Sequence, residues 1–246
     1  MKLVLKILVG IVIFSCAFVY FAPASLIQKF LPNEISVSGV SGTVWNGNLQ
    51  TIVFDQVGIQ NTKWSSNPLS LLTGKLQADI SIDSNNLKGN LETSYSGTKI
   101  RAEDVLLDGD LSLLMPYFEK FGLTISGKFN ANFNSLEVEN GLPKQADGVL
   151  NTYNTNILGV FPLNLGDITG IFEDRAQGML IKVENSNGEL DLNGAITVDE
   201  NGNYLADMNF SKNSETSDQV IQTIQLLGTK ISEDTVKMTH SGQLRI

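Results

Sequence analysis

The sequence is poor in the residues that carry most enzyme chemistry. It holds one cysteine, Cys16, and one histidine, His240, in 246 residues. A lone cysteine excludes an internal disulfide framework and a Cys-rich zinc site. A lone histidine removes the usual general base from most catalytic designs. No phosphate loop, dinucleotide fingerprint or nucleophile elbow is present. Basic residues are also scarce, with 17 Lys and Arg against 26 Asp and Glu, for a net charge of −9. Such a chain is ill suited to a nucleic-acid backbone, which is bound through basic patches that displace counterions. Long apolar runs are missing after residue 22, which excludes a bundle of membrane helices. What remains is an ordinary globular composition, 42% hydrophobic, and enough length to bury a core.

The first segment carries the strongest physical signal. Leu3 to Ala22 reads LVLKILVGIVIFSCAFVYFA, interrupted only by Lys6. About 20 apolar residues at about 1.5 Å each span a hydrocarbon core of about 30 Å. Lys6 can snorkel to the headgroups, and Tyr20 and Phe21 suit the far interface. Lys2 and Lys6 precede the run, so the positive-inside rule keeps the amino terminus in the cytoplasm and sends the rest across. Two processing readings compete. A cleaved signal peptide would use Ala22-Pro23-Ala24 before Ser25, although Pro23 lies inside that site. A lipoprotein would use Cys16, but Phe14 is too bulky for that recognition site. From Phe30 onward the balance is 14 basic against 26 acidic residues, as in a tethered acidic domain with little attraction to anionic lipid.

The body reads as strands. Leu76, Ala78, Ile80 and Ile82 alternate with Gln77, Asp79, Ser81 and Asp83. Phe129, Ala131 and Phe133 alternate likewise, as do Leu180 to Val183 and Leu190 to Leu192. This period means one buried and one wet face, as in antiparallel sheet. A loose theme recurs in which glycine and any residue precede an apolar strand opener. It appears at Gly74, Gly89, Gly109, Gly127, Gly148, Gly178, Gly188 and Gly242, at intervals too uneven for a solenoid. Short helices are predicted at Pro68–Leu72, over Asp110–Phe121 with a break at Pro116, and over Ser217–Leu227. Residues 140–146 and 212–217 read as loops, and Asn201-Gly202 as a hairpin turn rather than a calcium loop. His240 falls on a last strand, facing water. The adjacent carboxylates, such as Glu173-Asp174 and Asp199-Glu200, point to opposite faces of a strand and form no acid/base pair.

The distinctive stretch is Gly42-Thr43-Val44-Trp45-Asn46-Gly47, with Trp45 on a strand running to Val53 and Trp64 nineteen residues later. Both indoles are large apolar anchors whose N–H needs a partner. Core packing and ligand stacking are the two readings.

This element, the run from Val57 through Trp64, and Pro68 to Leu76 together resemble the type II secretion system protein N family. Ile125-Ser126-Gly127-Lys128-Phe129 resembles its mid-chain strand opener, and Leu226-Leu227-Gly228 with Gly242-Gln243-Leu244 its closing pattern. Tyr153 stands where the family pattern has another Trp. The resemblance marks Gly42, Thr43, Trp45, Gly47 and Trp64 as family residues with a structural role. It implies an accessory, non-enzymatic component that acts in export of folded proteins across the outer membrane. That component is anchored in the inner membrane and faces the periplasm, with no cofactor, metal or catalytic residue. Its partners would be other secretion subunits and the inner membrane.

The expected architecture is mainly β, with curved antiparallel sheet and a few short helices behind one N-terminal transmembrane helix. Residues 1–24 form the cytoplasmic tip and anchor, and 25–246 a periplasmic domain, with two similar halves dividing near residue 122 as an option. The alternative function is a periplasmic lipid-binding or lipid-transport module of AsmA-like or lipopolysaccharide-transport type, in which the apolar sheet face forms a groove for acyl chains.

Overall fold

The computed structural model describes Lys6 and residues 20–29, 35–54, 56–119, 122–159 and 162–244. Most of the apolar run Leu3–Ala22, including Cys16 and with it the expected anchor, lies outside the described residues. No helix among the described residues is long and apolar enough to cross a membrane.

Fifteen strands form one antiparallel sheet. They are β1 (Ile35–Ser38), β2 (Ser41–Gly42), β3 (Asn46–Phe54), β4 (Val57–Ser66), β5 (Leu76–Asp83), β6 (Leu87–Ser96), β7 (Lys99–Asp110) and β8 (Thr124–Glu139), then β9 (Leu142–Leu158), β10 (Leu163–Arg175), β11 (Gly178–Ser186), β12 (Asp191–Val198), β13 (Asn203–Ser211), β14 (Thr229–Lys230) and β15 (Thr235–Gln243). From β3 to β13 each strand pairs with the next in sequence, so the sheet is a long meander. It opens with β1 beside β3 and closes in the order β13, β15, β14. The sheet runs unbroken across residue 122, because β7 and β8 pair from Lys99↔Glu139 to Asp110↔Lys128.

The alternation of the sequence appears as alternation of burial. In β5 the even positions Ala78, Ile80 and Ile82 are half-buried and their odd neighbours are exposed. The main core gathers Val105, Ala131, Phe133, Ala146, Met179 and Val198 from β7, β8, β9, β11 and β12. Phe133 and Phe172 meet edge-to-face at 4.9 Å across the intervening strand, a geometry favoured by the ring quadrupoles. The Lys144 amine donates to the Glu200 carbonyl oxygen at 2.7 Å. A flat sheet would hold β9 and β12 about 14 Å apart at about 4.8 Å per strand. The sheet therefore curls, and the curl fills its inner face with its own side chains.

A second core closes the far end. Leu165, Leu190, Leu192 and Val236 pack with Ile224, which lies on helix Asp218–Leu227 (here α2; the shorter Met115–Glu119 is α1). The Ser217 hydroxyl caps α2 by accepting from the Val220 N–H, as a residue preceding a helix does when its side chain satisfies an orphan donor. Leu190 and Val236 are 1% and 0% exposed, and burying such side chains is worth about 1.5–3 kcal/mol each.

Several local expectations need correction. The expected break near Pro116 is present, one residue earlier, where a 3-10 turn, Leu111–Leu114, gives way to α1; the other points differ. Residues 142–146 are strand rather than loop, because Asn140 and Gly141 alone, at φ 54° and 73°, make the turn. Pro143 is tolerated inside β9 where the register slips between Glu137 and Val138, the place a strand proline can sit. Leu190 precedes β12 instead of opening it. Gly89, Gly127 and Gly148 lie inside β6, β8 and β9 rather than before them. A Cβ at Gly89 would meet the Leu106 carbonyl oxygen at 1.9 Å, so these glycines answer close approach of a neighbouring strand.

Candidate functional site: the tryptophan joint

The Gly42–Gly47 element begins where β2 ends. β2 pairs with the start of β3 through Ser41↔Asn48 and Gly42↔Gly47. Between them Thr43, Val44 and Trp45 form a tight loop, and Trp45 lies just before β3 rather than on it. The Thr43 N–H donates to the Asn46 carbonyl at 2.8 Å. The Thr43 hydroxyl oxygen accepts from the N–H groups of Trp45 at 3.3 Å and Asn46 at 3.1 Å. Threonine hydroxyls stabilise turns in this way, by taking the place of a backbone acceptor. Gly42 sits at φ 95°, and a Cβ there would lie 2.3 Å from the Asn46 carbonyl oxygen. Only glycine fits that position.

The two indoles lock this loop onto the sheet. Trp45 is 6% exposed. Its carbonyl accepts from the Ser66 N–H at 2.6 Å, at the end of β4. Trp64 pairs with Gly47 across β3 and β4, and its indole N–H donates to the Val44 carbonyl at 3.1 Å. The ring lies directly over Gly47, where a Cβ would stand 2.3 Å from Trp64 Cζ2 and 2.5 Å from the Ser41 carbonyl oxygen. The register continues from Trp64 to Ile80 and from Ile80 to Leu91, so one row of side chains crosses three strands. The structure brings all five predicted residues together, and it does so as packing and hydrogen bonding.

Sequence reasoning missed what this loop holds. The Val44 N–H donates to the Ala22 carbonyl at 3.0 Å, and Pro23 bridges to Thr43. Ala24, which opens a 3-10 helix through Lys29, is 1% exposed. The loop is thus a joint between the chain leaving the apolar run and the first edge of the sheet. Burial of Ala24 has no periodic signature, and small residues near residue 22 read as a processing site instead.

The other candidate residues lie apart from this joint. Among the described residues, no group of three or more His, Cys, Asp or Glu could hold a metal. His240 lies on β15, stacked on Tyr204 with ring centroids 5.7 Å apart and Nδ1 3.0 Å from the Tyr204 hydroxyl. Asp199 sits in the β12–β13 turn and accepts from Asn201 and Asn203. The Asn203 side chain, foremost, holds its carboxyl below the ordinary range. Asp207 is lowered first by the Thr239 hydroxyl and then by Lys237. An apolar cavity of about 460 Å³ lies between Val220, Ile224 and Leu227 of α2 and Leu123, Ile157 and Leu163.

The family model described as type II secretion system (T2SS), protein N, matches residues 33–239. The chain is similar to the type II secretion system protein N of Aeromonas hydrophila, at 21% identity over 234 residues, covering 90% of this chain and 91% of that protein. No solved structure matches. A family match that takes in the Gly42–Gly47 loop, both cores and the first half of β15 leaves one conclusion: the chain belongs to the type II secretion system protein N family, and is a component of type II secretion.

Proposed function

We propose that the chain is an accessory, non-enzymatic subunit held in the inner membrane by residues 3–22, with its sheet in the periplasm. There it supports export of folded proteins across the outer membrane, and another secretion subunit adds a strand to the outer edge of β15. The observation that carries the docking reading is that edge. β15 pairs with β13 along its whole length, while β14 covers only Val236 and Lys237 on the other side. No described strand lies against the outer side of Met238 to Gly242. Natural edge strands are guarded by lysine, proline or a bulge. Met238-Thr239-His240-Ser241-Gly242 contains no lysine or proline, and its pairing with β13 runs without a register slip. An unguarded edge is the template for strand addition, with backbone hydrogen bonds supplying affinity.

The joint supports the anchor. Cleavage before Ser25 would remove Ala22, Pro23 and the buried Ala24, which the fold uses. An uncleaved amino end keeps those contacts. The lipid-handling alternative calls for a continuous open apolar groove. The inner face from β7 to β13 is filled by its own side chains, which weighs against such a groove.

Paired proline variants test the edge. Successive residues of a strand point their N–H groups to opposite sides. Of Thr239→Pro and His240→Pro, one breaks the ladder to β13 and the other alters only the outer edge. The outer variant is expected to fold, yet to fail to restore secretion in a deletion strain and to lose cross-linking to its partner subunit. Wild-type secretion by that folded variant would sink the docking reading.

A further inference from the structure

We infer that the end of the sheet nearest residue 22 rests on the bilayer surface through an exposed apolar row formed by Leu69, Leu76, Tyr95 and Ile100. This deepens the anchor reading above and rests on it. The row is built by register. Leu76 of β5 pairs with Tyr95 of β6, and Tyr95 pairs with Ile100 of β7. Residues directly opposite on antiparallel strands share a face and touch. Leu69 comes from the 3-10 helix Pro68–Thr73 that leads into β5. The four side chains are 67%, 42%, 48% and 50% exposed in chain order. Elsewhere along β5 and β6 the same face is half-buried, so the exposure is concentrated at one end.

That end is the one the joint holds. Ser66, whose N–H donates to Trp45, pairs with Ala78. Leu76 is two residues beyond Ala78, about 7 Å along the strand at about 3.4 Å per residue. The chain arrives through Ala22, whose carbonyl is fastened to the Val44 N–H, so the end of the apolar run is tied directly to the sheet. Tyr20 and Phe21, 61% and 71% exposed with rings edge-to-face at 5.1 Å, stand immediately before the joint. Aromatic rings of this kind favour the headgroup level. Once residues 3–22 span the bilayer, a rigid joint at residues 22–24 sets this strand end against the headgroups. The occupant of the row is then the membrane from which the chain emerges. Lys75 precedes Leu76 and is exposed, and a flexible cationic stem beside an apolar row suits the same interface. Helix α2 lies at the opposite end, since it follows the end of β13 and precedes the start of β15. Its exposed Leu226 provides the control position.

The test uses the full chain with Cys16→Ser, reconstituted in phosphatidylethanolamine–phosphatidylglycerol vesicles that carry a nitroxide on a fraction of headgroups. An environment-sensitive fluorophore is attached singly at Leu76→Cys, Tyr95→Cys or Leu226→Cys. Labels at 76 and 95 are expected to lose most of their emission to the headgroup quencher, and the label at 226 to keep its own. If the protein floats with the vesicles and resists alkaline extraction but 76 and 95 are unquenched, the row does not meet the bilayer and the inference fails while the anchor stands. Equal quenching at 226 also overturns it, because the domain would then lie flat. If the protein does not stay with the vesicles, the anchor reading fails and takes the inference with it.

Discussion

Replacing Gly47 with alanine puts a methyl group where the Trp64 ring already lies. The new Cβ would stand 2.3 Å and 2.4 Å from two ring carbons and 2.5 Å from the Ser41 carbonyl oxygen. No flexible side-chain end can absorb this, because one neighbour is a rigid ring and the other is backbone. The indole must move, and its hydrogen bond to Val44 at 3.1 Å breaks. Overpacking costs about 1–3 kcal/mol, and a lost intramolecular hydrogen bond about 1 kcal/mol. Together Gly47→Ala should destabilise the protein by about 3 kcal/mol, which for this chain length lowers Tm by about 6–12 °C. The protein supplies its own probe, because its two tryptophans, Trp45 and Trp64, both belong to the joint. Thermal unfolding of the full chain in detergent, followed by tryptophan emission, therefore reads the joint directly. Gly47→Ala should cost less in a Trp64→Ala background than in the wild type, since the ring clash is then gone and only the contact with the Ser41 carbonyl oxygen remains. A Gly47→Ala protein within about 0.5 kcal/mol of wild type, the range of inert surface changes, would refute the packing argument.

Other perturbations follow from the same structure. Leu190→Ala, at a 1% exposed position, should cost about 3 kcal/mol in urea unfolding, whereas Leu226→Ser, at 85% exposure, should change stability by less than about 0.5 kcal/mol. Ser217→Ala removes the cap of α2 and should lower stability by about 1 kcal/mol with matching loss of helical circular dichroism. Lys99→Met strands the nearly buried Glu137 carboxylate, which it meets at 2.6 Å, and should be more damaging than the double change Lys99→Met with Glu137→Met, which removes both charges. The carboxyls of Asp167, Glu173, Asp199 and Asp207 are held below their ordinary values, chiefly by Asn154, Lys182, Asn203 and Thr239 respectively. Lower values in the folded state mean that the stability they add is present above about pH 4 and is lost as pH falls through those lowered values. Asp207→Asn should therefore flatten the acid limb of a stability–pH profile, and an unchanged limb would contradict it.

The strands were legible because one face is wet. Ala78, Ile80 and Ile82 alternate in sequence and in burial alike, and the helix expected over Ser217–Leu227 is found at Asp218–Leu227 with Ser217 as its cap. The glycines misled, because the same residue marks a turn at Gly74 and a close strand approach at Gly89, Gly127 and Gly148. Sequence distinguishes these poorly, since the deciding atom belongs to a neighbouring strand, such as the Leu106 carbonyl beside Gly89. The five motif residues were legible as a group, and their partners were not. Val44 to Ala22 and Trp45 to Ser66 are backbone contacts, which leave no trace in side-chain pattern. The unguarded edge of β15 was equally hidden, because it depends on strand order at the end of the sheet.

The central claim is that this protein serves secretion rather than lipid handling. The direct measurement is a clean deletion, followed by mass spectrometry of the culture supernatant beside an outer-membrane permeability assay. The account predicts that secreted enzymes disappear from the medium while the barrier stays intact, and that the wild-type gene restores them. Normal secretion with a leaky barrier would contradict it.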